Sequence, residues 1–122
     1  MDKTHLVISN STELLRVSAN HIMYIKSDGN YSHILQTGGE MRMVTEQLGD
    51  VEKLIRKQLP DVIGNNLVRI GKSLIINLKY IYFIQVPKQQ LILIDGQQNL
   101  HSLSASKDAL KALKDLIEKN SL

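Results

Sequence analysis

The chain contains no cysteine, which excludes disulfides, a thiolate metal site and a cysteine nucleophile, and suits a reducing compartment. No stretch reaches the roughly 18 consecutive apolar residues of a membrane-spanning helix. Met1-Asp2-Lys3-Thr4-His5 opens directly into strand-like sequence without a signal peptide. A cytoplasmic protein is the expectation. One Phe and four Tyr leave few platforms for unstacked bases, which argues against RNA or single strands as ligand. Also missing are a Gly-x-Ser-x-Gly elbow and a Gly-x-x-x-x-Gly-Lys loop, so serine-nucleophile and nucleotide-hydrolysis chemistry lack their signatures.

What is present fits a single small domain. At 122 residues the chain buries enough surface to fold without staples. Lys and Arg number 15 against 12 Asp and Glu, for a formal charge of +3, a mild bias in which distribution matters more than total. Glu46, Asp50, Glu52, Asp108, Asp115 and Glu118 gather in the expected helices, whereas Arg69, Lys72 and Lys79 have no carboxylate near them in sequence. A local basic face is compatible with that arrangement.

The first half reads as short strands separated by turn residues, an antiparallel pattern. His5-Leu6-Val7-Ile8 and Glu13-Leu14-Leu15-Arg16-Val17 flank Ser9-Asn10-Ser11-Thr12. A strand from His21 to Lys26 breaks at Ser27-Asp28-Gly29-Asn30, and Tyr31 to Gln36 turns through Gly38-Gly39 into Glu40 to Val44. From Thr45 the period becomes helical: Leu48, Val51, Leu54, Ile55 and Leu59 recur, with Thr45 as N-cap and Pro60 as the stop. Residues 61–66 read as loop. Strands return at Leu67 to Ile70, Leu74 to Leu78, Tyr80 to Val86, Gln90 to Ile94 and about Asn99 to Leu103. A last helix opens at Ser104-Ala105-Ser106, either serine serving as cap, and carries the stripe Leu110, Leu113, Leu116, Ile117. The fold class is therefore mainly β, with small antiparallel sheets, one internal helix and a C-terminal helix in an elongated domain.

Few residues offer chemistry. His5, His21, His33 and His101 lack metal-ligand spacing, and Glu46, Asp50, Glu52 and Asp115 read as helix-surface charges, so neither a metal nor acid/base catalysis is expected. The segment from Asn66 to Ile81 is the most informative. Arg69, Lys72 and Ser73 stand at the entrance of the apolar run Leu74-Ile75-Ile76. Two readings apply: solvated loop cations, or Arg69 on a phosphate with Lys72 and the Ser73 hydroxyl reaching a base edge or phosphate. The loop end Asn30-Tyr31-Ser32-His33 is either a solvent-facing hairpin or a second contact region. Ser104, Ser106 and Lys107 are either an ordinary cap or, with free backbone N–H groups at a helix start, a phosphate seat. Asn77, ending an apolar run, reads as structural, bonding nearby backbone.

Together these segments resemble the LytTR family of bacterial DNA-binding domains, from about His5 to Ile117. An Ile-x-Tyr-Ile-Glu-x-x-Gly-Asn-Tyr opening is similar to Ile22, Tyr24, Ile25, Gly29, Asn30 and Tyr31, with Lys26 in place of the acid. The family's Arg-x-His-Arg/Lys-Ser-x-x-Val-Asn signature is similar to Arg69, Lys72, Ser73, Ile76 and Asn77, with Gly71 where histidine is common. Ser106-Lys107 resembles a later serine and cation, Lys replacing the more usual Arg.

The resemblance implies a transcription regulator that reads double-stranded DNA with loops at Asn30 to His33, Arg69 to Ser73 and Ser104 to Lys107. It further implies paired domains on direct repeats and a bent site. No catalysis, cofactor or small-molecule substrate follows from it. Residues 1–122 are expected to form one such domain with no receiver in the chain, which leaves regulation to a separate protein partner, a change in abundance or an upstream region. The alternative is a protein-interaction module of the same fold with weakened DNA contacts.

Overall fold

The computed structural model describes residues 4–121. Its strands form three antiparallel sheets. A hairpin joins β1 (His5–Ser9) to β2 (Leu14–Ser18). The central sheet contains β3 (Ile22–Asp28), β4 (Tyr31–Gln36), β5 (Met41–Val44), β6 (Leu67–Ile70) and β7 (Leu74–Asn77), in the order β5-β4-β3-β7-β6. The third sheet is a meander of β8 (Ile81–Gln85), β9 (Gln90–Ile94) and β10 (Leu100–Ser104). Helix α1 (Leu48–Gln58) and the single turn α2 (Asp61–Gly64) connect β5 to β6, and α3 (Lys107–Ser121) follows the last strand.

Leu74-Ile75-Ile76 shows no polar alternation because the central sheet is covered on both faces. On one face Ile75 packs with Leu6, Ile8 and Val17 of the hairpin and with Val51 and Ile55 of α1. On the other, Leu74 and Ile76 pack with Leu91 and Leu93 of the meander and with Leu110 and Leu113 of α3. Asn77 ends the run fully inside: its Nδ2 donates to the Ile22 carbonyl at 2.8 Å and its Oδ1 accepts from the Lys79 N–H at 3.0 Å. The second bond opens a 3-10 turn over Leu78–Tyr80.

Several boundaries differ from the sequence reading. Thr45 does not cap α1, which starts at Leu48 behind Gln47; the Thr45 hydroxyl accepts from Asn10 Nδ2 at 3.3 Å. Glu46 consequently precedes the helix. Residues 61–66 contain the turn α2. His21 lies in a 3-10 turn ahead of β3, which runs on through Asp28. The glycine turn has three residues, 37–39, closed by Gln36 N–H on the Glu40 carbonyl at 2.9 Å, with Gly38 and Gly39 at φ of 92° and 88°.

Two strand edges are covered by side chains of α1. Gln58 accepts from Val7 N–H and donates to Val7 O, both at 2.8 Å, and so closes the outer edge of β1. Arg56 donates to the carbonyls of Gly64 at 2.6 Å and Leu67 at 2.7 Å, tying α1 to the start of β6.

The turn after β9 is organised by Asp95, whose carboxylate accepts from the N–H groups of Gln97 at 2.8 Å and Asn99 at 3.0 Å and faces His101 Nε2 at 3.3 Å. The Asn99 N–H, then that of Gln97 and the imidazole, hold the carboxyl below its ordinary range against the opposing effect of burial. A lowered folded pKa contributes stability that is present above the unfolded value, about 3.9, and lost as pH falls through the folded one. Asp95→Asn is therefore expected to be less stable at pH 7 but to lose less on acidification below pH 4 than the parent. Melting temperature across pH 2–7 checks this; parallel curves would refute it.

Candidate nucleic-acid interface

Strand pairing brings the sequence-distant polar segments to one end of the molecule. Asp28 pairs with Tyr31, leaving Gly29-Asn30 as the β3–β4 turn, and Ile70 pairs with Leu74, leaving Gly71-Lys72-Ser73 as the β6–β7 turn. β3 and β7 are antiparallel neighbours, so both turns lie at the same end, joined by the Ser27 N–H donating to the Ser73 carbonyl at 2.9 Å. The third segment arrives with α3: a Cβ built on Gly71 would sit 3.5 Å from the Ala109 Cβ, which sets Ser106 and Lys107 beside the β6–β7 turn.

In that turn Lys72 and Ser73 are exposed. Gly71 has φ of 58°, a left-handed conformation that costs a side-chain-bearing residue about 1 kcal/mol. This accounts for glycine where the resemblance leads one to expect histidine. Arg69 corrects the sequence reading: it has a carboxylate beside it, supplied by α1. Its Nη1 meets Glu52 Oε1 at 3.2 Å and its Nη2 donates to the Lys72 carbonyl at 3.0 Å. The guanidinium thus anchors the turn that displays Lys72.

In the β3–β4 turn Gly29 takes φ of 60°, and Asn30 Oδ1 accepts from Gln47 Nε2 at 3.2 Å. The Tyr31 ring is exposed. Ser32, read from sequence as part of this contact region, is instead wholly buried, its hydroxyl donating to the Glu46 carbonyl at 2.8 Å. The pleat turns it inward while Tyr31 and His33 take the opposite face. His33 is half-buried with its Nε2 2.9 Å from Asp28 Oδ2. At the head of α3 the Ser106 hydroxyl accepts from the Ala109 N–H at 3.1 Å and is the helix cap, and Lys107 is exposed.

Sequence reasoning missed three residues here. Gln47 holds Asn30 and Glu52 holds Arg69, across 17 positions in each case, a separation that no local pattern reports. Lys26 lies opposite both His33 and Leu74 and is exposed; it was legible only as a departure from the family opening. With Arg69 neutralised by Glu52 and His33 facing Asp28, the charge offered outward comes from Lys26, Lys72 and Lys107, moderated by Asp108. Among the described residues no group of three His, Cys, Asp or Glu side chains is placed to hold a metal ion, and no helix is long and apolar enough to cross a membrane.

Comparison with known proteins agrees with this architecture. The chain is similar in structure to the LytTr DNA-binding domain of a Bacillus cereus protein described as a methyl-accepting/DNA response regulator, with a TM-score of 0.62 and 15% identity over 95% of this chain and 98% of that one. At that identity the likeness is one of fold. No curated protein matches the sequence. The model of the LytTr DNA-binding domain family matches residues 12–118. The chain therefore belongs to the LytTr DNA-binding domain family and is a DNA-binding regulator.

Proposed function

We propose that this chain is a sequence-specific transcription regulator that reads direct-repeat sites in duplex DNA by laying its β3–β4 and β6–β7 turns into the major groove. The observation that carries this reading is the convergence of two turns and the start of α3 at one end, with Lys26, Lys72 and Lys107 exposed there. Lys72 donates to base-edge acceptors or a phosphate, supplemented by the Ser73 hydroxyl. Lys107 and the free N–H groups opening α3 take a phosphate. Asn30, Tyr31 and His33 form the flank, and Ser106 contributes as the cap that presents Lys107. Arg69 acts by holding the Lys72 carbonyl. Ser32 supports the turn from within.

In this reading residues 1–122 are one non-catalytic domain. Two copies occupy one site without a cofactor or small-molecule substrate, and regulation comes from a separate protein. The test is selection of bound sequences from a randomised duplex library, then anisotropy titration of the best site and a scrambled control at several salt concentrations. A recurring direct repeat, bound more tightly than the control and with a steep salt dependence, is the expected result. Folded protein that enriches nothing would sink the reading and favour the interaction module.

A further inference from the structure

The cleft between β2 and β5 is built to accept a strand. In an antiparallel pair, residues of alternate couples point their N–H and C=O groups away from the partner strand. The Gln36–Glu40 bond fixes that phase for β5: Arg42 and Val44 bond to β4, so Met41 and Met43 direct their backbone groups outward. The Asn10–Glu13 bond fixes it for β2, where Leu14 points its backbone groups away from β1. The same phase in β1 turns Val7 outward, which is where Gln58 closes that edge. Among the described residues no comparable cover meets the outward groups of Leu14, Met41 or Met43.

These edges border one cleft of about 390 Å³, floored by Leu15 and Val44. Both floor residues belong to, or pack on, the core beneath α1. Three exposed apolar side chains stand along the cleft, Leu14 at 63%, Met41 at 44% and Met43 at 54%, and Glu13 and Arg42 add charge to its lining. The Asn10–Thr45 hydrogen bond ties the two walls together at one end. Rows of unpaired backbone groups are a template for another strand, and methionine rims adapt to varied side chains.

We propose that this cleft binds an extended segment of a partner protein as an added strand. The peptide backbone pairs with Met41 and Met43, and its apolar side chains at alternate positions fall on Leu15 and Val44. The occupant is a single extended segment because the cleft is walled on both sides, so the entering strand arrives with its edges unpaired. A β5 strand from a second copy already carries β4 along one edge. The site uses none of the DNA-facing residues proposed above, and it borders them, Met43 being the cross-strand partner of His33.

The experiment is selection of a random dodecapeptide phage library on the whole chain, followed by anisotropy with the enriched synthetic peptides. Proline at Met43 removes an outward N–H that the β4 ladder does not use, so Met43→Pro retains the fold, checked by its melting curve; Met43→Ala retains the donor. Expected are peptides with apolar residues at alternate positions that protect the Met41 and Met43 amides from hydrogen exchange. Their affinity should fall at least about tenfold in Met43→Pro and clearly less in Met43→Ala. Enrichment of nothing by folded protein, or of peptides indifferent to Met43→Pro, would overturn the proposal. So would a concentration-dependent dimer abolished by Met43→Pro, which would make a second copy the occupant. Should Met43→Pro fail to fold, protection of the Met41 and Met43 amides by bound peptide decides, and its absence overturns the proposal.

Discussion

Replacing Lys72 and Lys107 together by alanine is expected to weaken binding to the selected duplex by about a hundredfold while leaving the melting temperature unchanged. Neither ammonium group forms a hydrogen bond or ion pair within the fold among the described residues, so their removal is felt at the DNA. A cation on a base edge or phosphate is worth about 1–3 kcal/mol, so roughly tenfold for each lysine is a moderate expectation. Taking away one phosphate-neutralising charge should also lower the salt slope by about 0.9. Titration of parent, single and double variants between low and moderate salt measures both quantities. Unchanged affinity in the double variant would remove these residues from the interface. Arg69 needs a different test, because its guanidinium is spent on Glu52 and the Lys72 carbonyl. Glu52→Gln removes a negative charge and by electrostatics alone should strengthen binding to a polyanion. If Arg69 positions the turn, Glu52→Gln weakens binding instead, in the same direction as Arg69→Ala.

Asn77→Leu should be the most damaging single change of similar size, costing about 3 kcal/mol. The substitution removes the donor to the buried Ile22 carbonyl, which is left unpaired at about 1–3 kcal/mol, and the acceptor for the part-buried Lys79 N–H that opens the following turn. Leucine keeps the branched shape of asparagine and leaves no cavity, so the loss reports the stranded backbone groups together with the crowding of two larger methyls. Urea denaturation gives the difference, and a loss below about 1 kcal/mol would mean that water or a backbone shift replaces both bonds.

How far the fold was legible depended on whether each signal was local. Turn chemistry at Gly29 and Gly38-Gly39, the helical period from Leu48 to Leu59 and the stripe on α3 rest on neighbours in sequence, and those elements stand within a few residues of their expected ends. The start of α1 was misplaced because a threonine before an apolar period is an apt cap, yet Asn10, 35 residues away, engages the Thr45 hydroxyl. Division into three sheets was not legible, since it depends on β7 inserting between β3 and β6. At the candidate interface, residue type pointed to turns that strand pairing brings to one end of the molecule. What each side chain does there was hidden: the pleat buries Ser32, and Glu52 on α1 claims Arg69.

β7 has a consequence for how the molecule comes apart. Because Ile75 belongs to one apolar cluster while Leu74 and Ile76 belong to the other, neither cluster can melt without stripping a face from the strand that supports its neighbour. Two cores linked through one four-residue strand should unfold as a single cooperative unit, with coincident transitions by fluorescence and circular dichroism. Partial opening is then confined to the rims: the β5 edge, the turn at Asp95 and the far end of α3. The centre of the sheet stays closed until the whole domain opens, so the end of the molecule that carries the β3–β4 and β6–β7 turns keeps its shape through the smaller fluctuations.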